Sequence, residues 1–158
     1  MNSKIIQEIH FGAEVDYRLS WDEAIDEFGP ITPAYFLVRG CSSFFPSRDF
    51  VEKVDFTLAN FGPGFLPWSK IERWREDKRL FPAGPRECFS VGKNDFSKQF
   101  REENYTIVST QLYEVSTSRM CFIAKKGQNG QSYADFLETK HVGFSTEWFL
   151  FRDNPCVV

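Results

Sequence analysis

The stretch Tyr105–Lys126, YTIVSTQLYEVSTSRMCFIAKK, constrains this chain more than any other. It is rich in β-branched and aromatic residues, lacks Gly and Pro, and carries one polar break at Ser116-Thr117-Ser118. Branched and aromatic side chains fit a pleated surface and a polar break supplies a turn, so the stretch predicts a long β-hairpin. With all three polar residues in the loop, Val115 faces Arg119, Tyr113 faces Cys121 and Leu112 faces Phe122. Apolar side chains then meet on both faces, which places the hairpin at the centre of a sheet with layers on either side.

What surrounds that hairpin reads as helices alternating with further hairpins, an α+β chain and not a regular βαβ series. The expectation is a single domain over residues 1–158, with a mainly antiparallel sheet of five to seven strands and helices packed against it. Before the hairpin, Ile5, Ile9 and Phe11 alternate, and so do Val15, Tyr17 and Leu19. A loop at Gly12-Ala13-Glu14 would pair them as a small hairpin over 4–19, with an amphipathic helix over 4–10 as the alternative. Ser20 and Glu23 form a capping box for a helix over 20–28, whose Trp21, Ala24, Ile25 and Phe28 share one face. Its other face is acidic and reads as solvated. Ala34–Arg39 suits a buried strand, although Thr32-Pro33 and Gly40 also fit the two ends of a helix.

Phe50, Val51, Val54 and Leu58 fall at helical spacing and predict a helix over 47–60. Phe61-Gly-Pro-Gly-Phe-Leu-Pro67 breaks the chain. A second capping box, Ser69 with Glu72, opens a helix that Phe81–Pro85 ends. Glu87–Val91 is expected as a short strand, Asn94 as the cap of a short helix, and Gly127–Gly130 as a polar loop. Ser132 is expected to cap a helix carrying Tyr133, Phe136 and Leu137, and Gly143–Arg152 to form the last strand.

Several chemistries are excluded. The net charge of −3 is no nucleic-acid footprint. Basic residues interleave with Trp74 along 69–79, but Glu72, Glu76 and Asp77 dilute them into an ordinary solvated helix face. No apolar run is long enough to cross a membrane, and the N-terminus does not read as a signal peptide. Cys41, Cys88, Cys121 and Cys156 lie too far apart for a Cys-x-x-Cys pair, so neither zinc nor another metal is expected, and reduced thiols in a cytoplasm are. Dinucleotide, Walker, nucleophile-elbow and zincin motifs are absent, and no cofactor is implied. Glu138-Thr139-Lys140 matches half of a nuclease metal motif, but on an expected helix.

Two readings of function resemble known families. Cys41 follows an apolar run, and His141-Val-Gly-Phe opens the expected last strand. That order resembles papain-like amidases and implies a cysteine-dependent hydrolase or transferase with Cys41 as nucleophile and His141 as base. Asp22–Phe45 resembles the helix, proline and Gly turn that open some immunity domains, which implies a protein–protein interaction module. The leading reading is instead a non-enzymatic domain that binds a small molecule or a protein. It rests on the aromatic content, 18 Phe among 158 residues. The expected lining is Tyr35, Trp68, Trp74, Tyr113, Phe122 and Trp148. Aromatics on both faces of the last strand, and the adjacent Phe44-Phe45, further predict a homodimer through 144–151 or that corner.

Overall fold

The computed structural model describes residues 7–28, 42–62, 64–93, 105–115, 117–126, 132–141 and 147–156. Eight strands form one mixed sheet: β1 (Gln7–Asp16), β2 (Val51–Asn60), β3 (Phe81–Pro82), β4 (Tyr105–Ser109), β5 (Tyr113–Val115), β6 (Ser118–Lys126), β7 (Ser132–Glu138) and β8 (Glu147–Arg152). The order is β1-β2-β8-β4-β6-β5, with β3 also on β8 and β7 also on β6. Among the described strands β4 and β8 run parallel and the other pairs antiparallel. The expected α+β class therefore stands, with eight strands in place of five to seven and one parallel pair.

Among the described residues three α-helices cover the sheet: α1 (Trp21–Phe28), α2 (Trp68–Asp77) and α3 (Pro85–Lys93). α1 starts as its capping box dictates: the Glu23 N–H donates to Ser20 Oγ, and the Ser20 N–H donates to Glu23 Oε2. Trp21, Ala24, Ile25 and Phe28 are buried, and the acidic face is exposed. α1 and α3 lie on one face of the sheet. Their side chains join Val54, Phe56, Leu58, Ile107, Phe122, Trp148 and Leu150 in the larger core. α2 covers the other face, where Trp68 and Ile71 meet Val108, Cys121, Ile123, Phe149 and Phe151.

β8 shows why two cores are needed. Trp148 and Leu150 enter one, Phe149 and Phe151 the other, as strand alternation requires. The strand is hydrogen-bonded to β2 on one side and β4 on the other. The strand therefore lies in the middle of the sheet and not at an edge, and its Trp148, Phe149, Leu150 and Phe151 are buried within the chain. Phe45 is likewise buried, stacked on Trp21 at 4.3 Å.

Five further expectations are corrected. β1 is one continuous strand paired with β2 along all ten residues, from Gln7 with Asn60 to Asp16 with Val51, so no hairpin turns at Gly12. The expected helix at 47–60 contains β2, because Val54, Phe56 and Leu58 also alternate and bury one face while Thr57 and Ala59 bury the other. The expected helix at 132–138 is β7, with Ala134 and Phe136 towards one core and Tyr133 and Leu137 towards the other. The expected strand at 87–91 is α3, which begins with Pro85 just after Gly84, the placement that suits a helix N-terminus. α2 starts at Trp68 with Pro67 as its N-cap and no side-chain cap, since Glu72 Oε1 accepts from Trp68 Nε1 and from Arg119 instead. The expectations for 34–39, for the helix after Asn94 and for the loop 127–130 lie outside the described residues.

The 105–126 stretch is β-structure as expected, with one correction that shapes the site. Val115 pairs with Ser118 and Tyr113 with Met120, a register one residue tighter than a three-residue loop would set. Val108 pairs with Ile123, so the four residues Ser109–Leu112 stand opposite only Cys121 and Phe122. The hairpin is therefore bulged, and the Phe122 N–H is satisfied by Ser109 Oγ at 3.0 Å instead of by a ladder carbonyl.

Candidate functional site

The bulge is pinned to the segment that leads into α3. The N–H groups of Thr110 and Gln111 both donate to the Ala83 carbonyl, and the Ala83 N–H donates to Thr110 Oγ1. Thr110 Oγ1 in turn donates to the Leu150 carbonyl at 2.6 Å. These bonds carry Gln111 out of the ladder and up to Gly84, where α3 begins, and the Tyr113 hydroxyl reaches the same point from the start of β5. A Cβ placed on Gly84 would lie 2.8 Å from Gln111 Oε1, 3.2 Å from Glu87 Oε2 and 3.5 Å from the Tyr113 hydroxyl. Only a residue without a side chain permits three polar ends to gather there.

Beside this point opens a cleft of about 260 Å³, lined among others by Tyr17, Phe45, Arg48, Arg86, Gln111 and Tyr113. Phe45 and Tyr113 meet edge to face at 5.3 Å and form its apolar side. The 42–50 segment is strapped across it by two backbone bonds, Tyr17 N–H to the Phe50 carbonyl and Arg48 N–H to the Tyr17 carbonyl.

Behind the cleft lies an ion network centred on Arg152, whose side chain is 1% exposed. Its Nη1 donates to Glu87 Oε1 at 3.1 Å and to the Tyr17 hydroxyl at 2.9 Å, and its Nη2 to Glu52 Oε1 at 2.6 Å. The Tyr17 hydroxyl donates to the same Glu87 oxygen. One Glu87 oxygen is thus engaged inward while the other stands by Gly84. Burial opposes the Arg152 charge, but Tyr17, Glu87 and Glu52 together outweigh it and raise its pKa. Burial, reinforced by Glu87, also drives the Tyr17 and Tyr113 hydroxyls far above their ordinary range, so both stay protonated as donors. Arg86 is buried too. It donates from Nη1 to the Leu19 carbonyl and from Nη2 to the Phe45 carbonyl, while Nε has no partner among the described residues. Burial lowers its pKa.

The expected aromatic lining is divided between the two cores. Tyr113 reaches the cleft. Phe122 and Trp148 are buried in the same core beneath it, and Trp68 and Trp74 pack on the opposite face of the sheet, against Phe149 and Phe151. Tyr35 lies outside the described residues. So does Cys41, and with it the geometry of the cysteine-dependent alternative. His141 does not open the last strand: it closes a 3-10 turn, Thr139–His141, directly after β7. Lys140 neutralises Glu138 at 2.9 Å, and no group of three metal-ligating side chains forms among the described residues. On α2, Lys78 pairs with Glu8 and lies over the Trp74 ring, and Arg75 pairs with Glu76 and the Leu80 carbonyl, so much of that basic row is already engaged. No described helix is long and apolar enough to cross a membrane.

Sequence reasoning named Tyr113 but missed Glu87, Gln111, Gly84 and Arg48. The signal available was Gly84-Pro85-Arg86-Glu87, a glycine and proline followed by a glutamate in the first helical turn. It was read as the end of the preceding helix.

Two buried thiols bear on reactivity. Burial pushes Cys88 well up, and it pushes Cys121 up to about 12, whereas Cys156 is exposed at the mouth of the cleft. Near neutral pH iodoacetamide is expected to label Cys156 and to spare Cys88 and Cys121 until denaturant is added. Peptide mass spectrometry reads this directly, and native labelling of Cys121 as fast as Cys156 would contradict its burial. The unfolded Cys121 thiol titrates near its ordinary value of 9.0 and the folded one higher, so stability is unaffected below about pH 9 and falls as pH rises towards 12.

The fold and site together define an α+β protein with two cores about one mixed sheet and a polar cleft at a helix start. Comparison with family models, with curated proteins and with solved structures finds no match for this chain.

Proposed function

We propose that this protein is a binding domain for a small polar molecule, held in the cleft where α3 begins. The observation that carries the reading is the convergence of Gln111 Oε1, Glu87 Oε2 and the Tyr113 hydroxyl on Gly84, polar ends brought together from two parts of the chain, α3 and the 111–113 segment of the hairpin. Each belongs to a residue that lines a cleft with an apolar wall. A few placed polar groups in a largely apolar concavity are what a small-molecule site needs, and 260 Å³ lies near the lower end of such sites, roughly 300–1,000 Å³. Of the five expected aromatic residues that the structure describes, Tyr113 lines the cleft, with Phe45 and Tyr17 beside it.

Backbone-amide NMR with a library of small metabolites tests the reading. A ligand is expected to shift the amides of Gly84, Glu87 and Gln111. Gly84→Ala is expected to abolish the response while the protein stays folded, because the atom its methyl would crowd most, Gln111 Oε1 at 2.8 Å, is the far end of an exposed, flexible side chain. If no compound moves these amides, the cleft is not a binding site.

A further inference from the structure

We infer that the hollow between β1 and the end of α2 takes a divalent transition-metal ion of the zinc type, with His10 Nε2 and the Glu8 carboxylate as its protein ligands. The hollow shares no lining residue with the cleft at α3, so it stands apart from the binding reading above.

His10 and Thr57 are register partners on β1 and β2, and His10 Nδ1 lies 3.0 Å from Thr57 Oγ1. Thr57 is fully buried, and its hydroxyl donates to Asp153 Oδ1 at 2.7 Å. A hydroxyl has one proton to give. With that proton on the Asp153 bond, Thr57 Oγ1 can only accept from the ring. Nδ1 therefore carries the imidazole N–H, and Nε2 of the neutral ring keeps a free lone pair. A metal-binding imidazole is held in the same way, its far N–H bonded towards a carboxylate that fixes the tautomer and the ring plane. Because Nδ1 faces β2, Nε2 is on the outer side of the ring, and the exposure of His10 lets an ion reach it from solvent.

Glu8 stands two residues before His10, and strand alternation sets both side chains on one face of β1. Both line a hollow of about 220 Å³ together with Thr57, Lys78, Leu80 and Asp153. Its two carboxylates outnumber its one ammonium, which favours a cation. Glu8 meets Lys78 at 3.6 Å, an ion pair longer than a hydrogen bond, and the Lys78 ammonium also lies over the Trp74 ring, 5.7 Å from its centroid. An ion at Glu8 thus displaces a weak contact and leaves Lys78 its second seat. The imidazole then selects among cations: Mg²⁺ and Ca²⁺ take oxygen ligands, whereas Zn²⁺, Ni²⁺ and Cu²⁺ take imidazole. Two protein ligands leave the remaining positions to water. An oriented imidazole also suits a catalytic base, but the one hydroxyl that lines the hollow, on Thr57, already gives its proton to Asp153 and offers no nucleophile to activate.

The test titrates Zn²⁺ into the whole chain, with Mg²⁺ as the control, and follows the NMR signals of the His10 ring and of the His10 and Thr57 amides. These report this site apart from any ion held by the exposed Cys156. Zn²⁺ is expected to shift them to saturation, and Mg²⁺ at the same concentration to leave them in place. His10→Gln is expected to abolish the response and Glu8→Gln to weaken it. Thr57→Val and Asp153→Asn leave both ligands in place, and each is expected to weaken Zn²⁺ roughly tenfold, as the loss of a group that orients a metal-bound imidazole does. Lys78→Met is expected to tighten Zn²⁺, because it removes the competing cation from Glu8. Zn²⁺ binding unchanged in both Thr57→Val and Asp153→Asn would show an isolated surface imidazole and overturn the site. Mg²⁺ acting as Zn²⁺ does, or no shift with Zn²⁺, overturns it as well.

Discussion

Replacing Arg152 with methionine is expected to destabilise the protein by about 3–5 kcal/mol, the usual consequence of removing one partner from a buried ion cluster. The side chain is almost fully buried, and three groups from distant parts of the chain depend on it: Tyr17 after β1, Glu52 on β2 and Glu87 on α3. Without the guanidinium, two carboxylates stay in the interior with no countercharge, and Glu52 already has one oxygen with no partner among the described residues. Urea unfolding of the variant checks the magnitude. Adding Glu52→Gln and Glu87→Gln to Arg152→Met should recover much of the loss, because the cost lies in the orphaned charges and not in a missing attraction. A loss under about 1 kcal/mol in the single variant would mean that water reaches the cluster, and that Glu87 is not held as the cleft requires.

Phe122→Ala is expected to cost about 3–5 kcal/mol, as large-to-small changes of buried aromatics do. Phe122 has no exposed surface and meets Phe89 at 5.2 Å, Phe136 at 5.1 Å and Trp21 at 6.1 Å. It joins β6, β7, α1 and α3, so the vacated volume cannot be filled by the shift of one element. Chemical denaturation reads the loss. By contrast Gln111→Leu, at an exposed position of the bulge, should leave the midpoint within about 0.5 kcal/mol of the parent. A small effect at Phe122 would show that it borders an open cavity, as the aromatic-lining expectation held, and not a packed core.

The contrast between these positions explains how much could be read in advance. α1 was legible because its signals are local: a cap, its reciprocal glutamate and an apolar face within nine residues. β8 was legible as a strand from its alternation, and the 105–126 stretch from its branched and aromatic content. The segments 51–60 and 132–138 were not, because both satisfy the helical and the strand period within a short window, and a strand gains its hydrogen bonds only from distant partners. β2 becomes a strand by lying between β1 and β8, and β7 by lying against β6. α3 carried a start signal that was outweighed by reading Gly84-Pro85 as a terminator.

The site was the least legible part. Its polar atoms come from Glu87, Gln111 and Tyr113, and its charged surroundings from Arg48, Arg86 and Arg152, positions without a shared spacing. Gln111 faces Gly84 only because the hairpin bulges at Ser109–Leu112 and the bulge bonds to Ala83. A uniform hairpin, the sequence-based expectation, would have kept Gln111 in the ladder and paired Tyr113 with Cys121 instead of Met120.

By itself the sequence determined the features whose energies are settled within a few residues: the capped α1, the break at 61–67, the two-faced burial of β8 and the β-character of 105–126. Tertiary structure alone decided which strands pair, that β8 lies at the centre, and that one buried arginine joins three elements behind a cleft. The physical reason is the range of the interactions. Caps and turns close hydrogen bonds between near neighbours and are written in local order. Strand pairing and buried ion clusters gain energy only after distant segments have met, so their partners leave no mark in the spacing of residues along the chain.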